Sequence, residues 1–187
     1  MQKIILASGS ANRQAVLKQA RIPFEVCPAQ VNEKSIKEKN LKKRAIKIAE
    51  LKARWVAERK SGIIVAADTF EVYDNHVLGK PRDKDEAVKM LRLLSGKVFT
   101  GYTGFFCINT RNNKAFAAVV SGGIEFRDIT EEEIKDSVEN EPVTTWAAGY
   151  SLTYSSIKFV KRFNGSLSGL MYGLPLELLH EALQAVL

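Results

Sequence analysis

IIVAADTFEVYDNHVLGK, residues 63–80, opens on a continuous apolar run that stops abruptly at a carboxylate, Asp68. Such a run is the pattern of a central strand buried on both faces, and it predicts a strand over 63–68 that delivers Asp68 to its C-terminal edge. FEVYDNHVLG then alternates on either side of Asp74-Asn75, the signal of a two-stranded hairpin. The next stretch, KPRDKDEAVKMLRLLSG, has a proline, an acidic first turn, a periodic apolar face at Ala87, Met90, Leu91 and Leu94, and a terminal Gly96. Together these mark both ends of a helix.

Downstream, residues 97–109 and 114–127 are two alternating or apolar runs joined by Thr110-Arg111-Asn112-Asn113, and an antiparallel pair is expected. Thr130 before Glu131, Glu132 and Glu133 has the capping-box pattern of a helix start. TTWAAGYSLTYSS, residues 144–156, is rich in small and hydroxyl residues and is read as a functional loop. IKFVKRF (157–163) is read as a strand, Asn164-Gly165 as a turn, and PLELLHEALQAV as a helix begun by Pro175. Upstream, Leu41 to Lys60 keeps a helical period, and PFEVCPA (23–29) is a strand candidate. QKIILA (2–7) reads as a strand, followed by a Ser8-Gly9-Ser10 turn with Ser10 as N-cap of a helix. Strands that alternate with helices and then pair as hairpins predict a mixed-sheet α/β fold.

At 187 residues, 45% hydrophobic and 26% charged, the chain has the balance of a soluble globular protein, and disordered, collagen-like and disulfide-rich classes are excluded. Cys27 and Cys107 stand far apart with only His76 and His180 besides, which fits neither a zinc site nor a disulfide framework. Cys107 falls in a strand pattern and is read as core. The apolar run at 4–7 is too short for a signal-peptide core, and no stretch approaches membrane length, so a cytoplasmic protein without membrane contact is expected. The net charge of +7 is concentrated in residues 34–60, where eleven Lys or Arg face three Glu. Such a run fits a phosphate-bearing partner or a solvated helix face about equally well. Nucleic acid is the weaker choice, because Trp55 is the only aromatic platform in the run.

The chemistry these residues offer is that of phosphate. A strand, a small-residue turn and a helix at 4–20 present free amides and a positive dipole end. Arg13 lies one helical turn from Ser10, and Lys80 is held between Gly79 and Pro81. With no His or Cys cluster, any metal is a hard cation held by carboxylates and by substrate phosphates. Taken alone, Asp68 before Thr69 is more often a turn cap, and Arg13 and Lys80 are as readily exposed surface residues.

In their order and spacing, LASGSANRQAVL at 6–17, Glu33, Leu51-Lys52-Ala53, Ala67-Asp68-Thr69, LGKPRDKDEAVKMLRLLSG at 78–96, Tyr102-Thr103-Gly104 and GLPLELL at 173–179 resemble the Maf family of nucleoside triphosphate pyrophosphatases. The resemblance spans nearly the whole chain and implies one domain over 1–187. It implies a mixed, elongated, half-closed sheet flanked by helices, with two lobes and a central cleft, and often a homodimer. It further implies hydrolysis of a nucleoside triphosphate to monophosphate and pyrophosphate with a divalent cation, Mg2+ or Mn2+. Carried over by position, Asp68 is the proton acceptor. Ser8, Ser10, Arg13, Lys52 and Lys80 bind substrate, and Glu33 shares the metal with Asp68. Asn12, Thr69 and Thr153 fall at the specificity positions.

Three departures stand out. The family's Ser-Pro-Arg-Arg run reads Ser10-Ala11-Asn12-Arg13 here, a lysine is replaced by Trp146, and Thr153 stands where a Gln or Glu marks the better-known subfamilies. A threonine hydroxyl both donates and accepts, so it discriminates base edges poorly. These departures motivate a second reading, a nucleotide-binding regulator of cell division and septum formation that has lost turnover. Trp146 and Tyr150 are candidates for stacking on a base, or for packing under the loop.

Overall fold

A computed structural model describes residues 3–187. Gln2, where the first strand was expected to begin, lies outside them. The elements run β1 (Ile4–Leu6), α1 (Ala11–Gln19), β2 (Phe24–Val26), α2 (Leu41–Ala57), β3 (Ile63–Tyr73), β4 (His76–Leu78), α3 (Lys84–Leu94), β5 (Val98–Asn109), β6 (Ala115–Phe126), α4 (Glu131–Asn140), β7 (Val160–Phe163), α5 (Leu167–Met171) and α6 (Leu176–Val186). The strands form one open seven-stranded mixed sheet of order β2-β1-β3-β5-β6-β7, with β4 on β3. The mixed α/β architecture expected from the sequence is the one found.

Asp68 does not end its strand. β3 runs on to Tyr73 because β5 pairs with it continuously from Ile63 to Val72, so the carboxylate sits in mid-strand. What ends near Asp68 is the neighbour on the other edge. β1 pairs in parallel only with Ile63–Val65, and β4 pairs antiparallel only with Glu71–Tyr73. Between them, residues 66–70 of β3 have no strand on that side, and this gap is where the cleft opens.

The long strands β3, β5 and β6 carry a separate core at each end. At one end lie Ile4, Leu6, Leu17, Val65 and Phe105, closed over by Leu174, Leu179, Ala182 and Val186 from the last part of the chain. On the opposite face of that end, Ala49, Ala53 and Val56 of α2 cover Ile64, Ala66 and Phe106. At the other end α3, α4 and the 143–159 segment enclose Leu91, Phe99, Phe126, Tyr150 and Phe159. These two cores are the lobes. Cys107 is fully buried in the first, where desolvation pushes its thiol up to about 12.

Local signals account for most of the boundaries. Asn40 caps α2 by accepting from the Lys43 amide (3.0 Å), Asp83 caps α3 through the Glu86 amide (2.8 Å), and Thr130 and Glu133 complete the expected capping box of α4. Asp74 and Asn75 both adopt positive φ, 47° and 60°, as a tight primed hairpin turn requires. Several expectations need correction. The strand at 23–29 shrinks to Phe24–Val26. That at 157–163 shrinks to Val160–Phe163, because Ser155–Phe159 forms a 3-10 turn whose Phe159 is needed in the core. The 143–155 loop contains two further 3-10 turns, and the short α5 was not anticipated. Ser10 holds the N-cap position of α1, but its side chain makes no capping bond.

Close packing of α2 on the sheet depends on Gly104, where a Cβ would overlap the backbone carbonyl of Ala45. Gly104→Ala is expected to destabilise the protein by about 1–3 kcal/mol or more, as overpacking of a backbone contact does. Urea unfolding of the variant beside the wild type measures it.

Candidate active site

At the gap along β3, two hollows of ≈ 490 and ≈ 520 Å³ share walls formed by Ser10, Asn12, Arg13, Glu33, Lys52, Lys80 and Trp146. Alternation along β3 sends Asp68 and Phe70 to the α2 face, and Thr69 and Glu71 to the face of α1 and α5. The cleft therefore has two differently equipped sides.

On the α2 side, Lys52 is turned out of the basic stripe and inward, its side chain 11% exposed. Its ammonium meets Asp68 Oδ1 at 2.7 Å and Glu33 Oε1 at 2.8 Å. Glu33 arrives on a 3-10 turn, Glu33–Ser35, fixed by Asn32 accepting from the Lys34 amide. The second Asp68 oxygen has no protein partner among the described residues. Elsewhere in the 34–60 segment Lys47, Arg54, Arg59 and Lys60 form surface pairs with Glu38, Glu50, Glu58 and Glu25, and Lys34, Lys37, Lys39, Lys42 and Lys43 are exposed, so that run is largely a solvated face. Lys80 is exposed at the mouth of the cleft and makes no ion pair among the described residues.

On the other side, Arg13 is anchored rather than free. Its Nε donates to the Gly173 carbonyl (2.8 Å), Nη1 to Ser8 Oγ (2.9 Å) and Nη2 to Thr69 Oγ1 (3.4 Å). Desolvation lowers its pKa, and the Asp68 and Glu33 charges oppose that shift. Thr69 continues the chain to Thr103 (3.0 Å), whose hydroxyl donates to the Gly169 carbonyl (2.7 Å). Ser8 also accepts from the Ser10 amide. The departures at 12 and 153 bond each other: Asn12 Nδ2 donates to Ser151 Oγ (3.0 Å), and Thr153 Oγ1 donates to Asn12 Oδ1 (3.3 Å).

The structure thus brings together Ser8, Ser10, Asn12, Arg13, Glu33, Lys52, Asp68, Thr69, Lys80 and Thr153 around one cleft. Both aromatic candidates line the cleft: Tyr150 packs edge-on against Phe99 and Phe126 in the second core, and Trp146 leans on Tyr154. Two cleft residues escaped the sequence reading. Arg44, two helical turns before Lys52, lies 5.8 Å from the Phe70 ring with its Nε buried and unbonded. Glu71 is 3% exposed, and burial raises its carboxyl to about 7. The available signal was an acid at the same strand parity as Thr69 amid apolar neighbours.

Glu33 and Asp68 are the two carboxylates of the cleft that meet at one point, and no cluster of three or more His, Cys, Asp or Glu that could hold a metal ion exists among the described residues. The two carboxylates converge on a single cation, here the Lys52 ammonium. That donor set suits a magnesium-like ion completed by water and substrate oxygens. No helix among the described residues is long and apolar enough to cross a membrane.

The sheet is open along one edge, and cations and carboxylates collect at the gap, an arrangement suited to a phosphorylated ligand. The family model for Maf-like protein matches residues 3–186, and the chain belongs to that family. A dTTP/UTP pyrophosphatase of Bacillus cereus strain G9842 is 36% identical over 177 residues, 94% of this chain and 91% of the relative. A dTTP/UTP pyrophosphatase of Alkaliphilus oremlandii is 34% identical over 178 residues, 94% and 92% of the respective chains. Among solved structures, a HAM1 protein from Coxiella burnetii superposes with a TM-score of 0.56 at 15% identity, covering 98% of this chain and 99% of that one, a likeness of fold.

Two outcomes follow from the geometry. Arg13→Lys removes a three-point anchor that one ammonium cannot reproduce, and a loss of roughly 2–3 kcal/mol is expected in denaturant unfolding. Glu71 stays protonated in the fold up to about 7 but ionises near 4.5 when unfolded. The folded state then holds the extra proton, so wild-type stability falls as pH rises between those values, by up to roughly 3 kcal/mol. Glu71→Gln is expected to flatten that decline in unfolding curves taken across the same range.

Proposed function

We propose that the protein is a nucleotide pyrophosphatase that cleaves a nucleoside triphosphate into monophosphate and pyrophosphate. The observation that carries this reading is the Lys52 ammonium bridging Asp68 and Glu33 at 2.7 and 2.8 Å, inside a cleft at the uncapped start of α1. The relatives named above act on dTTP and UTP, which places those two nucleotides first among candidate substrates.

Phosphoryl transfer needs little covalent help and much charge stabilisation. The free amides at the start of α1 and the unpaired Lys80 receive the triphosphate, with the Ser8 and Ser10 hydroxyls beside them. Arg13 holds Ser8 and the 173 turn in place, and its buried charge adds to the positive field. Asp68, through the oxygen that Lys52 leaves free, takes the proton of an attacking water. The water oxygen bonds to the α-phosphorus as the bond to the pyrophosphate oxygen breaks. Lys52 keeps Asp68 oriented, and when substrate arrives it is near enough to shift toward the phosphates. Glu33 and Asp68 would hold Mg2+ or Mn2+, which when bound supplies further neutralisation of phosphate oxygens. Asn12 and Thr69 line the side where the nucleoside lies, and Thr153 holds Asn12 from behind.

The test is pyrophosphate release from a panel of canonical and modified triphosphates with magnesium or manganese, beside Asp68→Asn. Release is expected from the wild type and a fall of about 10²–10⁴ in the variant, the usual contribution of a positioned base. Silence across the panel from folded protein overturns the proposal. Nucleotide binding without release would favour the regulator of cell division.

A further inference from the structure

Two residues past Thr69, on the same face of β3, Glu71 is buried with little to bond. Gly101 stands opposite it on β5, and Leu170 of α5 closes over that glycine. A Cβ at Gly101 would lie 2.7 Å from Leu170 Cδ2 and 2.8 Å from Glu71 Oε2. That oxygen is buried without a hydrogen-bond partner. An unpaired buried polar atom is destabilising, a penalty that a leucine at this position would avoid. The Tyr150 hydroxyl lies beside the carboxyl, and both residues line the cleft. The cations of the cleft are Arg13, Lys34, Arg44, Lys52 and Lys80, with Arg44 beside Phe70 on the opposite, α2 face of β3, whereas Leu170 next to Glu71 is apolar and Leu152 and Met171 add apolar lining. Such a wall suits a base rather than phosphates.

Building on the nucleotide reading above, we infer that Glu71 and Tyr150 form a base-reading site, in which Glu71 donates a hydrogen bond to a ring carbonyl and so favours keto bases over amino bases.

Burial, the larger effect, raises the carboxyl to about 7, and the Tyr150 hydroxyl partly opposes it. Burial and the Glu71 charge hold Tyr150 well above the ordinary phenol range, so it remains a donor. With Tyr150 donating to one oxygen, the acid proton sits on the other. Rotation about χ3, soft in glutamate, turns that O–H toward the cleft. It then meets the carbonyl of uracil, thymine or hypoxanthine as a donor, but opposes the amino group of cytosine or adenine. No other neighbour takes over this titration. β4 contributes Leu78, β5 Gly101 and Thr103, and α5 Leu170, none of which titrates. Tyr73 shares the strand face, and the Arg13 guanidinium of α1 is engaged with Thr69. As pH rises through about 7 the donor is lost, and the carboxylate left behind repels a carbonyl.

The experiment compares equilibrium binding of the α,β-methylene analogues of UTP and CTP to the whole protein at about pH 6 and about pH 8.5. Neither base titrates in that interval, and phosphate ionisation cancels in the ratio. The wild type is expected to prefer the UTP analogue at the lower pH and to lose about tenfold of that preference at the higher, a change of the size one hydrogen bond produces. Glu71→Gln keeps an N–H donor and should hold the preference unchanged across pH, whereas Glu71→Leu should lose it at both. A preference that survives Glu71→Leu, a pH course in Glu71→Gln matching the wild type, or failure of the wild type to bind either analogue overturns the inference. Because the analogues are not cleaved, this outcome is separate from pyrophosphate release, which tests the activity itself.

Discussion

The absence of a side chain at Gly104 is what lets α2 lie against the sheet, with the Ala45 carbonyl where a methyl group would otherwise be. Ala45, Ala49 and Ala53 continue that contact, all fully buried. A helix seated so low brings Lys52 within 2.7 Å of a carboxylate in the middle of β3. Were the helix a methyl's width higher, the lysine would reach solvent like its neighbours. The basic stripe on the outside of α2 and the charge inside the cleft therefore belong to one helix with two duties, and its height above the sheet separates them.

Most elements could be read from the sequence because they announce themselves locally. The caps at Asp83 and Thr130 and the hairpin turn at Asp74-Asn75 depend only on residues within a few positions. The end of β3 could not be read in this way. A carboxylate after an apolar run looks like a strand terminus, and only continuous pairing with β5, from residues some thirty-five positions away, keeps the strand going. The site divides along the same line. The resemblance of short motifs placed Asp68, Lys52, Glu33 and Arg13 together. The bonds that brace the site, from Arg13 to the Gly173 carbonyl and between the Thr69 and Thr103 hydroxyls, are fixed by tertiary approach: Gly173 and Thr103 fall within the quoted motifs, but what they bond to is not written in them. Glu71 was missed because an acid within an apolar strand resembles an ordinary alternation until its depth is known.

The exchange of a family arginine for Asn12 takes on a different meaning beside Thr153 and Ser151. An arginine there would bring charge and no acceptor, whereas Asn12 accepts from Thr153 and donates to Ser151, tying the start of α1 to the late loop with neutral bonds. The cleft gives up a positive charge on that side and gains a cross-link between elements far apart in sequence. The positive charge that the cleft retains comes from the braced Arg13 and from Lys34, Arg44, Lys52 and Lys80.

The first core is assembled from both halves of the chain, with Leu174, Leu179, Ala182 and Val186 closing over Ile4, Leu17 and Phe105. Asn109 and Asn112 secure that closure by donating to the Val186 carbonyl, each at 3.0 Å. The second core draws only on residues within 73–171. On the ribosome, the second lobe therefore has all of its apolar partners before the first does. The half of the molecule made first must wait for the stretch after residue 173, with one face of β1 and β3 still uncovered.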